Sequence, residues 1–395
     1  MPNMFTLNHI RHFIVIILGR NMRKYVGKKN KRNSSFELLR ILSMFAIVVH
    51  HFAMHGTLNP ILYKDTFAKS FIVYDYLIFL GRLGVVLFVM IGAYFLCDKD
   101  FNFKRPINLI LTTCFYSYLI YFVLRHVAHF KSLNILFNNE GLKAFWFPIP
   151  LPSGYWFVGG YIVLLLLMPM LNTTIKYLKK REFLFLIFTL IFFWVLIPTM
   201  MQIFPGKPDM AIDDFGYSHG IIFILFYFMA AYLKKYAGSF LNDFRKMGIM
   251  ALLCLILALL VCCFTLQGSQ MDMILAGVNA LYNPLTIMTA FYIFAFFKNI
   301  KFYNKFINYI ANSMFGIYLI SDNTFVRKLI WQVCISSKDV AASWLSYFGE
   351  AIGYSLLIFI VSLLLDIIFR RMFFEKLINK ITLFLNEKIL EIVKY

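Results

Sequence analysis

Arg40, His51 and His55 share one apolar stretch, Ser35 to Gly56 (SFELLRILSMFAIVVHHFAMHG), which also carries Glu37 and His50. A bilayer core needs about 20 mostly apolar residues in helical form, and this stretch supplies them. Ionisable groups in such a span are costly, so they face a bundle interior or an aqueous cavity and mark a functional path. Arg40 and His51 are eleven positions apart, which at 100° per residue returns to within about 20° of one helix face, about 16 Å further along. His50 points about 100° away from that face, whereas His55, four residues after His51, falls back near it. Glu37 precedes Arg40 by three residues, the spacing of an ion pair on one helix face. The stripe therefore reads Glu37, Arg40, His51, His55. A histidine titrates near neutral pH and can take a proton from a hydroxyl. An arginine at the mouth of a span attracts an anionic group such as a nucleotide phosphate. Anion below and general base above imply chemistry coupled across a membrane.

The rest of the chain reads as the bundle that holds this stripe. Its 395 residues are 61% hydrophobic and only 15% charged, which excludes a string of soluble domains and implies a polytopic, all-α membrane protein. The formal charge of +20 would suggest nucleic acid in a soluble chain. Here the cations lie in short blocks between apolar runs, where the positive-inside rule accounts for them, and no nucleic-acid partner is expected. Nine further spans are expected near 74–96, 107–124, 156–171, 183–202, 217–233, 247–266, 281–297, 307–321 and 350–369, ten in all. An inside N-terminus places Lys99, Lys104 and Arg105 inside, then Lys176, Lys179, Lys180 and Arg181. Lys234, Lys235, Arg245 and Lys246 follow, then Lys298, Lys301 and Lys305, and finally Arg370, Arg371 and Lys376. Asp209, Asp213, Asp214 and Asp272 fall outside. Both termini are thus expected in the cytoplasm, with the protein multi-pass in the cell membrane.

Three regions follow. Residues 1–34 form a basic cytoplasmic segment; its run Phe13 to Gly19 is too short to span and has no cleavage site of signal-peptide type after it. Residues 35–371 form the ten-helix membrane domain. Residues 372–395 alternate apolar and charged residues at helical spacing, as an amphipathic helix on the inner membrane surface does. The six cysteines form no CxxC or Cys/His cluster, so no metal site is expected. HExxH and Walker A patterns are absent, which removes zinc proteolysis and P-loop nucleotide binding.

Other ionisable and aromatic residues add to the stripe. Arg82, in FLGRLGV, lies too deep in the second span to be a loop charge, and either binds an anionic substrate group or pairs with a carboxylate. Tyr155 and Trp156 are placed either to stack on a sugar ring or to form an interfacial aromatic belt. Asp366 in the last span is set to pair with Arg370 one turn later.

ELLRILSMFAIVVHH followed by FLGRLGVVLFVMIGAYFL resembles the opening of the membrane-bound acyltransferase family 3. YWFVGGYIVLLLLMPML and ANSMFGIYLISDN extend the likeness over nearly the whole chain. The family's arginine and histidine, separated by ten residues on the first helix, correspond to Arg40 and His51. The resemblance implies an O-acyltransferase that moves an acyl group, usually acetyl, from cytoplasmic acyl-CoA to a hydroxyl of a surface polysaccharide, O-antigen, peptidoglycan or lipid-linked glycan. It implies no permanently bound cofactor, with acetyl-CoA as donor substrate, and polysaccharide-synthesis machinery and membrane lipids as surroundings. In that frame His51 is general base or acyl relay, Arg40 and Glu37 support it, Arg82 and Arg105 bind acyl-CoA or substrate, and Ser321 binds a hydroxyl. Two positions depart from the family pattern. Relatives often carry a second arginine three residues after the one matching Arg105, where this chain has Asn108, and a histidine where it has Ser321. The competing readings are a glycan or lipid-linked-sugar transporter, for which no internal repeat is found, and a structural subunit of a polysaccharide synthase.

Overall fold

A computed structural model of the chain describes residues 32–56, 68–131, 155–203, 220–264, 281–334 and 343–394. The basic run before Arg32, and Asp209, Asp213, Asp214 and Asp272, lie outside these residues. Among those described, every regular element is helical. The principal helices are α1 (Ser34–His55), α2 (Ala68–Leu96), α3 (Lys104–Lys131), α4 (Trp156–Tyr177) and α5 (Lys180–Ile191, continued through a π turn to Ile203). Then follow α6 (Ile222–Lys235), α7 (Phe244–Phe264), α8 (Pro284–Asn299), α9 (Lys305–Ala311) and α10 (Met314–Ser321). The last are α11 (Thr324–Lys328), α12 (Trp344–Leu365) and α13 (Glu375–Lys394).

Asparagines start several of these helices. Asn33, Asn283, Asn304 and Asn323 each accept a hydrogen bond from a first-turn N–H of α1, α8, α9 and α11. They satisfy donors that the helix itself leaves orphaned, and Pro284 after Asn283 needs none. α1 is the central element. It packs against α2, α8, α9, α10 and α12, and more than half of its residues are buried. The α1–α2 seam is close because two glycines face it. A Cβ at Gly81 would overlap the His50 side chain, and one at Gly84 would stand 2.6 Å from the Ser43 carbonyl oxygen. Small residues permit such backbone approach where lipid offers no hydrophobic drive between helices.

The outer surface is apolar. On α7, Leu252, Leu253, Ile256, Leu257 and Leu260 are exposed, while Ala251, Cys254, Ala258 and Cys262 face inward. α5 and α12 show the same inversion, with Phe185, Phe188, Leu356 and Leu357 outside. A soluble protein does not present so broad an apolar belt, so this is a membrane protein.

Seven helices among the described residues are long and apolar enough to cross a bilayer: α1 to α5, α7, and the run beginning with α12. The three other expected spans correspond to shorter elements. α6 and α8 have 14 and 16 residues, below the about 20 that the hydrocarbon core needs. The expected span 307–321 is two helices, α9 and α10, interrupted at Asn312 and Ser313. At the other extreme, α12 passes through a π-helical segment (Asp366–Phe374) into α13 without a loop. α13 is the expected amphipathic helix, and it leans on α3, with Asn108 Nδ2 donating to Asn379 Oδ1 at 3.3 Å. Phe115 and Phe374 rings stand 4.7 Å apart beside that contact.

Candidate active site

Two polar clusters lie along α1. The first, at its Ser34 end, is centred on Glu37. This buried carboxylate accepts from Arg40 Nη1 through Oε2 and from Arg32 Nε through Oε1, both at 2.6 Å. Arg32 also donates to Asn312 Oδ1 at 2.8 Å, tying the start of α1 to the break between α9 and α10. One carboxylate between two guanidiniums leaves this end positive. Arg40 and Arg105 both lie within electrostatic reach of the Tyr161 hydroxyl, which occupies space left by Gly92. Arg105 further contacts Met168 Sδ at 4.0 Å.

The second cluster lies at the His55 end. α10 ends at Ser321, and Asp322 and Asn323 turn the chain into α11. The Asp322 N–H donates to the Tyr318 carbonyl, and the Asn323 side chain caps α11, so the Asp322 backbone is held on both sides. The Asp322 carboxylate is buried. Its Oδ1 stands 3.4 Å from His51 Nε2 and 3.0 Å from Arg327 Nη1. The His51 tautomer that donates Nε2–H toward this oxygen leaves the Nδ1 lone pair available. His51 Nδ1 is buried and has no protein hydrogen-bond partner. A carboxylate behind one ring nitrogen and a second nitrogen without a protein partner is the arrangement of an oriented general base.

These groups wall a cavity of about 230 Å³. Its polar lining includes His51, His55, Arg82, Asp322 and Arg327, and Trp156, Phe157 and Phe315 supply aromatic walls. His50 also borders it, but Nδ1 of His50 is 3.2 Å from the Ile78 carbonyl oxygen and fastens α1 to α2. The stripe inferred from residue spacing therefore divides. Glu37 and Arg40 join the positive end, whereas His51 and His55 join the cavity, about 16 Å along the helix.

The remaining expected site residues fall in three places. Arg82 and Trp156 line the cavity with His51, while Arg105 belongs to the positive end. Tyr155 is not part of the cavity wall. It is buried, donates to the Leu319 carbonyl oxygen at 2.7 Å, and accepts from Asn323 Nδ2 at 2.9 Å. It thus pins the α10–α11 junction that presents Asp322, which gives it a positioning role in place of sugar stacking. Ser321 is buried beside Asp322, with its hydroxyl unpartnered and outside the cavity lining.

Asp322 and Arg327 were the residues that spacing undervalued. Their signal was a pair of opposite charges five residues apart, directly after the apolar run MFGIYLIS. Among the described residues, no group of three or more His, Cys, Asp or Glu side chains is arranged to hold a metal ion.

A family model described as an acyltransferase domain matches residues 33–367, which include both clusters apart from Arg32. No curated protein matches the chain, and no solved structure does.

Proposed function

The chain belongs to acyltransferase family 3, and from that membership we propose that it is an O-acyltransferase of the cell membrane, moving a short acyl group, acetyl in the simplest case, from cytoplasmic acyl-CoA to a hydroxyl of a surface polysaccharide or lipid-linked glycan. The observation that carries this reading is His51: Nε2 faces the Asp322 carboxylate, and Nδ1 is buried, unpartnered and at a cavity with an aromatic wall. The basic loops put the Ser34 end of α1 on the cytoplasmic side. There Arg40 and Arg105 hold the donor's phosphates, because guanidiniums bind phosphate through charge-assisted hydrogen bonds. The pantetheine arm extends along α1 and delivers the thioester carbonyl to the cavity.

In the transfer step the acceptor hydroxyl gives its proton to His51 Nδ1 as its oxygen bonds to the thioester carbon. The resulting tetrahedral oxyanion collapses, the carbon–sulfur bond breaks, and the CoA sulfur leaves as thiolate, taking the proton from the imidazolium. Asp322 holds the ring and steadies its transient positive charge. Trp156 offers a flat face to the acceptor sugar.

The test is turnover of radiolabelled acetyl-CoA by the purified protein in liposomes, with glycan acceptors supplied. Arg40→Ala removes a charge-assisted contact worth about 1.5–3 kcal/mol, so the KM for acetyl-CoA should rise about 10- to 100-fold. Arg32 still pairs with Glu37 in that variant, so the fold survives the change. If wild type neither binds nor consumes acetyl-CoA, or the Arg40→Ala KM is unchanged, the donor assignment is wrong. Asp322→Asn should lower kcat about 100-fold while leaving that KM alone, as expected for a residue that orients the base. A normal kcat in Asp322→Asn would remove it from the mechanism.

A further inference from the structure

Acyl transfer from a thioester puts negative charge on one atom, the carbonyl oxygen, and a hydrogen-bond donor aimed at that atom beforehand stabilises the transition state most. A base at His51 fixes where such a donor must stand. The attacking oxygen and the carbonyl oxygen end on the same carbon, so base and donor must face one reacting centre, each about 3 Å from its own oxygen.

Arg327 meets this condition. His51 Nε2 and Arg327 Nη1 approach the same Asp322 oxygen, at 3.4 and 3.0 Å, and both side chains line the cavity. A guanidinium holds five N–H donors in one rigid plane and stays protonated. Among the described residues, Asp322 is the hydrogen-bond partner of the Arg327 side chain, through Nη1. The segment that carries Arg327 is anchored at both ends. Asn323 caps α11, its carbonyl oxygen accepts the Arg327 N–H at 2.8 Å, and its side chain donates to the buried Tyr155 hydroxyl. Beyond α11 a π-helical turn (Leu329–Cys334) buries Trp331. The Trp331 ring meets Phe52, the neighbour of His51 on α1, edge-on at 5.7 Å. Base and guanidinium are thus held in one frame, and donors fixed in this way need no reorganisation when the charge appears.

Resting on the acyl-transfer reading, we propose that Arg327 is a catalytic residue that binds the oxyanion of the transfer step. As the acceptor oxygen bonds to the thioester carbon and its proton passes to His51 Nδ1, the carbonyl π electrons move onto oxygen, which accepts N–H bonds from Arg327. On collapse those electrons re-form the carbonyl, the carbon–sulfur bond breaks, and the thiolate takes the imidazolium proton. Arg327 gives up no proton at any stage. Asp322 then orients two partners through one oxygen, the base on one side and the oxyanion donor on the other.

The experiment compares acetyl-CoA with its dithioester analogue, in which sulfur replaces the carbonyl oxygen and accepts hydrogen bonds only weakly. The full chain is used in liposomes, and CoA release is followed with water and with methyl glucoside as acceptor. Arg327→Gln should lower kcat for acetyl-CoA about 10²–10³-fold, the range for loss of one oxyanion donor. The KM for acetyl-CoA should stay within about two-fold, because the interaction is made only in the transition state. The dithioester should slow by at least about ten-fold less, since its sulfur draws little from the donor in wild type. Arg327→Lys keeps a cation beside Asp322 and should fall between wild type and Arg327→Gln in both rate and donor discrimination, which carries the test if the glutamine variant does not fold. Equal slowing of both donors in either variant overturns the proposal, because Arg327 then acts only by holding Asp322, the pattern expected of Asp322→Asn. A normal kcat for acetyl-CoA in Arg327→Gln overturns it as well. A wild type that releases no CoA with either acceptor defeats the acyl-transfer reading itself, and this assignment with it.

Discussion

His51→Ala should lower kcat for acyl transfer by about 10²–10⁴-fold, the range for removal of a positioned general base. The side chain is buried at the cavity, and Nδ1 has no protein partner to compete with a substrate hydroxyl. His55 also lines the cavity one turn further along α1, its ring centroid 5.7 Å from that of His51. His50 is fastened to the Ile78 carbonyl, and the Asp322 carboxylate already contacts Arg327. On the proposed reading the donor's phosphates bind a helix half-length away, so the KM for acetyl-CoA should stay within about two-fold while kcat collapses, the signature of an interaction made only in the transition state. His51→Gln is the sharper version. Its amide can still reach toward Asp322, so packing and the Arg327 pair are spared, yet it cannot accept and return a proton at working pH. Near-normal turnover by a folded His51→Gln protein would end the general-base assignment.

The largest effect on stability is expected at Asp366→Ala. This carboxylate is fully buried where α12 passes into its π-helical extension. Oδ1 accepts from Tyr116 at 2.6 Å and from Arg370 Nε at 2.7 Å, and Oδ2 accepts from Arg370 Nη2 at 2.7 Å. Arg370 continues to the Asn312 carbonyl oxygen, so one carboxylate links α3, the α9–α10 break and α12. Its removal takes the acceptor from the buried Tyr116 phenol and leaves the partly buried Arg370 guanidinium with the Asn312 carbonyl, which costs about 3–5 kcal/mol. Gly316 faces the same carboxylate, and a Cβ there would overlap it. Thermal unfolding of the detergent-purified protein measures the effect, with Asp366→Asn intermediate because it keeps the shape and one acceptor. A change below about 1 kcal/mol in Asp366→Ala would show that the ion pair is dispensable.

Much of the positive end of α1 was legible along the chain. Glu37 and Arg40 sit three apart on one helix, and their contact follows from helical geometry once a helix is granted. The pairing of Asp366 with Arg370 one turn later followed in the same way. The eleven-residue return from Arg40 to His51 correctly placed the two on one face of α1, but it did not reveal that they serve separate clusters. Arg32 lay within the basic segment 1–34, because it precedes the helix that carries Glu37 and its second partner, Asn312, lies on another element. Tyr155 was legible as an aromatic at a helix start, open to stacking on a sugar or to an interfacial aromatic belt. Its hydroxyl turned out to be consumed by Leu319 and Asn323, a contact between distant segments. The short α6 and α8 were hidden by the apolar residues flanking them, since hydropathy marks what tolerates lipid and not where a helix stops.

By itself, the sequence determined the helical class, the membrane solvent and the order of polar groups along α1, because these depend on composition and on 100° per residue within one segment. The tertiary structure alone decided which carboxylate stands behind His51, which cations share its cavity, and which aromatics wall it. Those choices rest on how closely helices approach. Here that approach is set by glycines at positions 81, 84 and 316 and by the asparagine-capped turn that aims Asp322. A glycine's missing side chain leaves no periodic signal in a sequence. Its effect appears only when a second helix occupies the space.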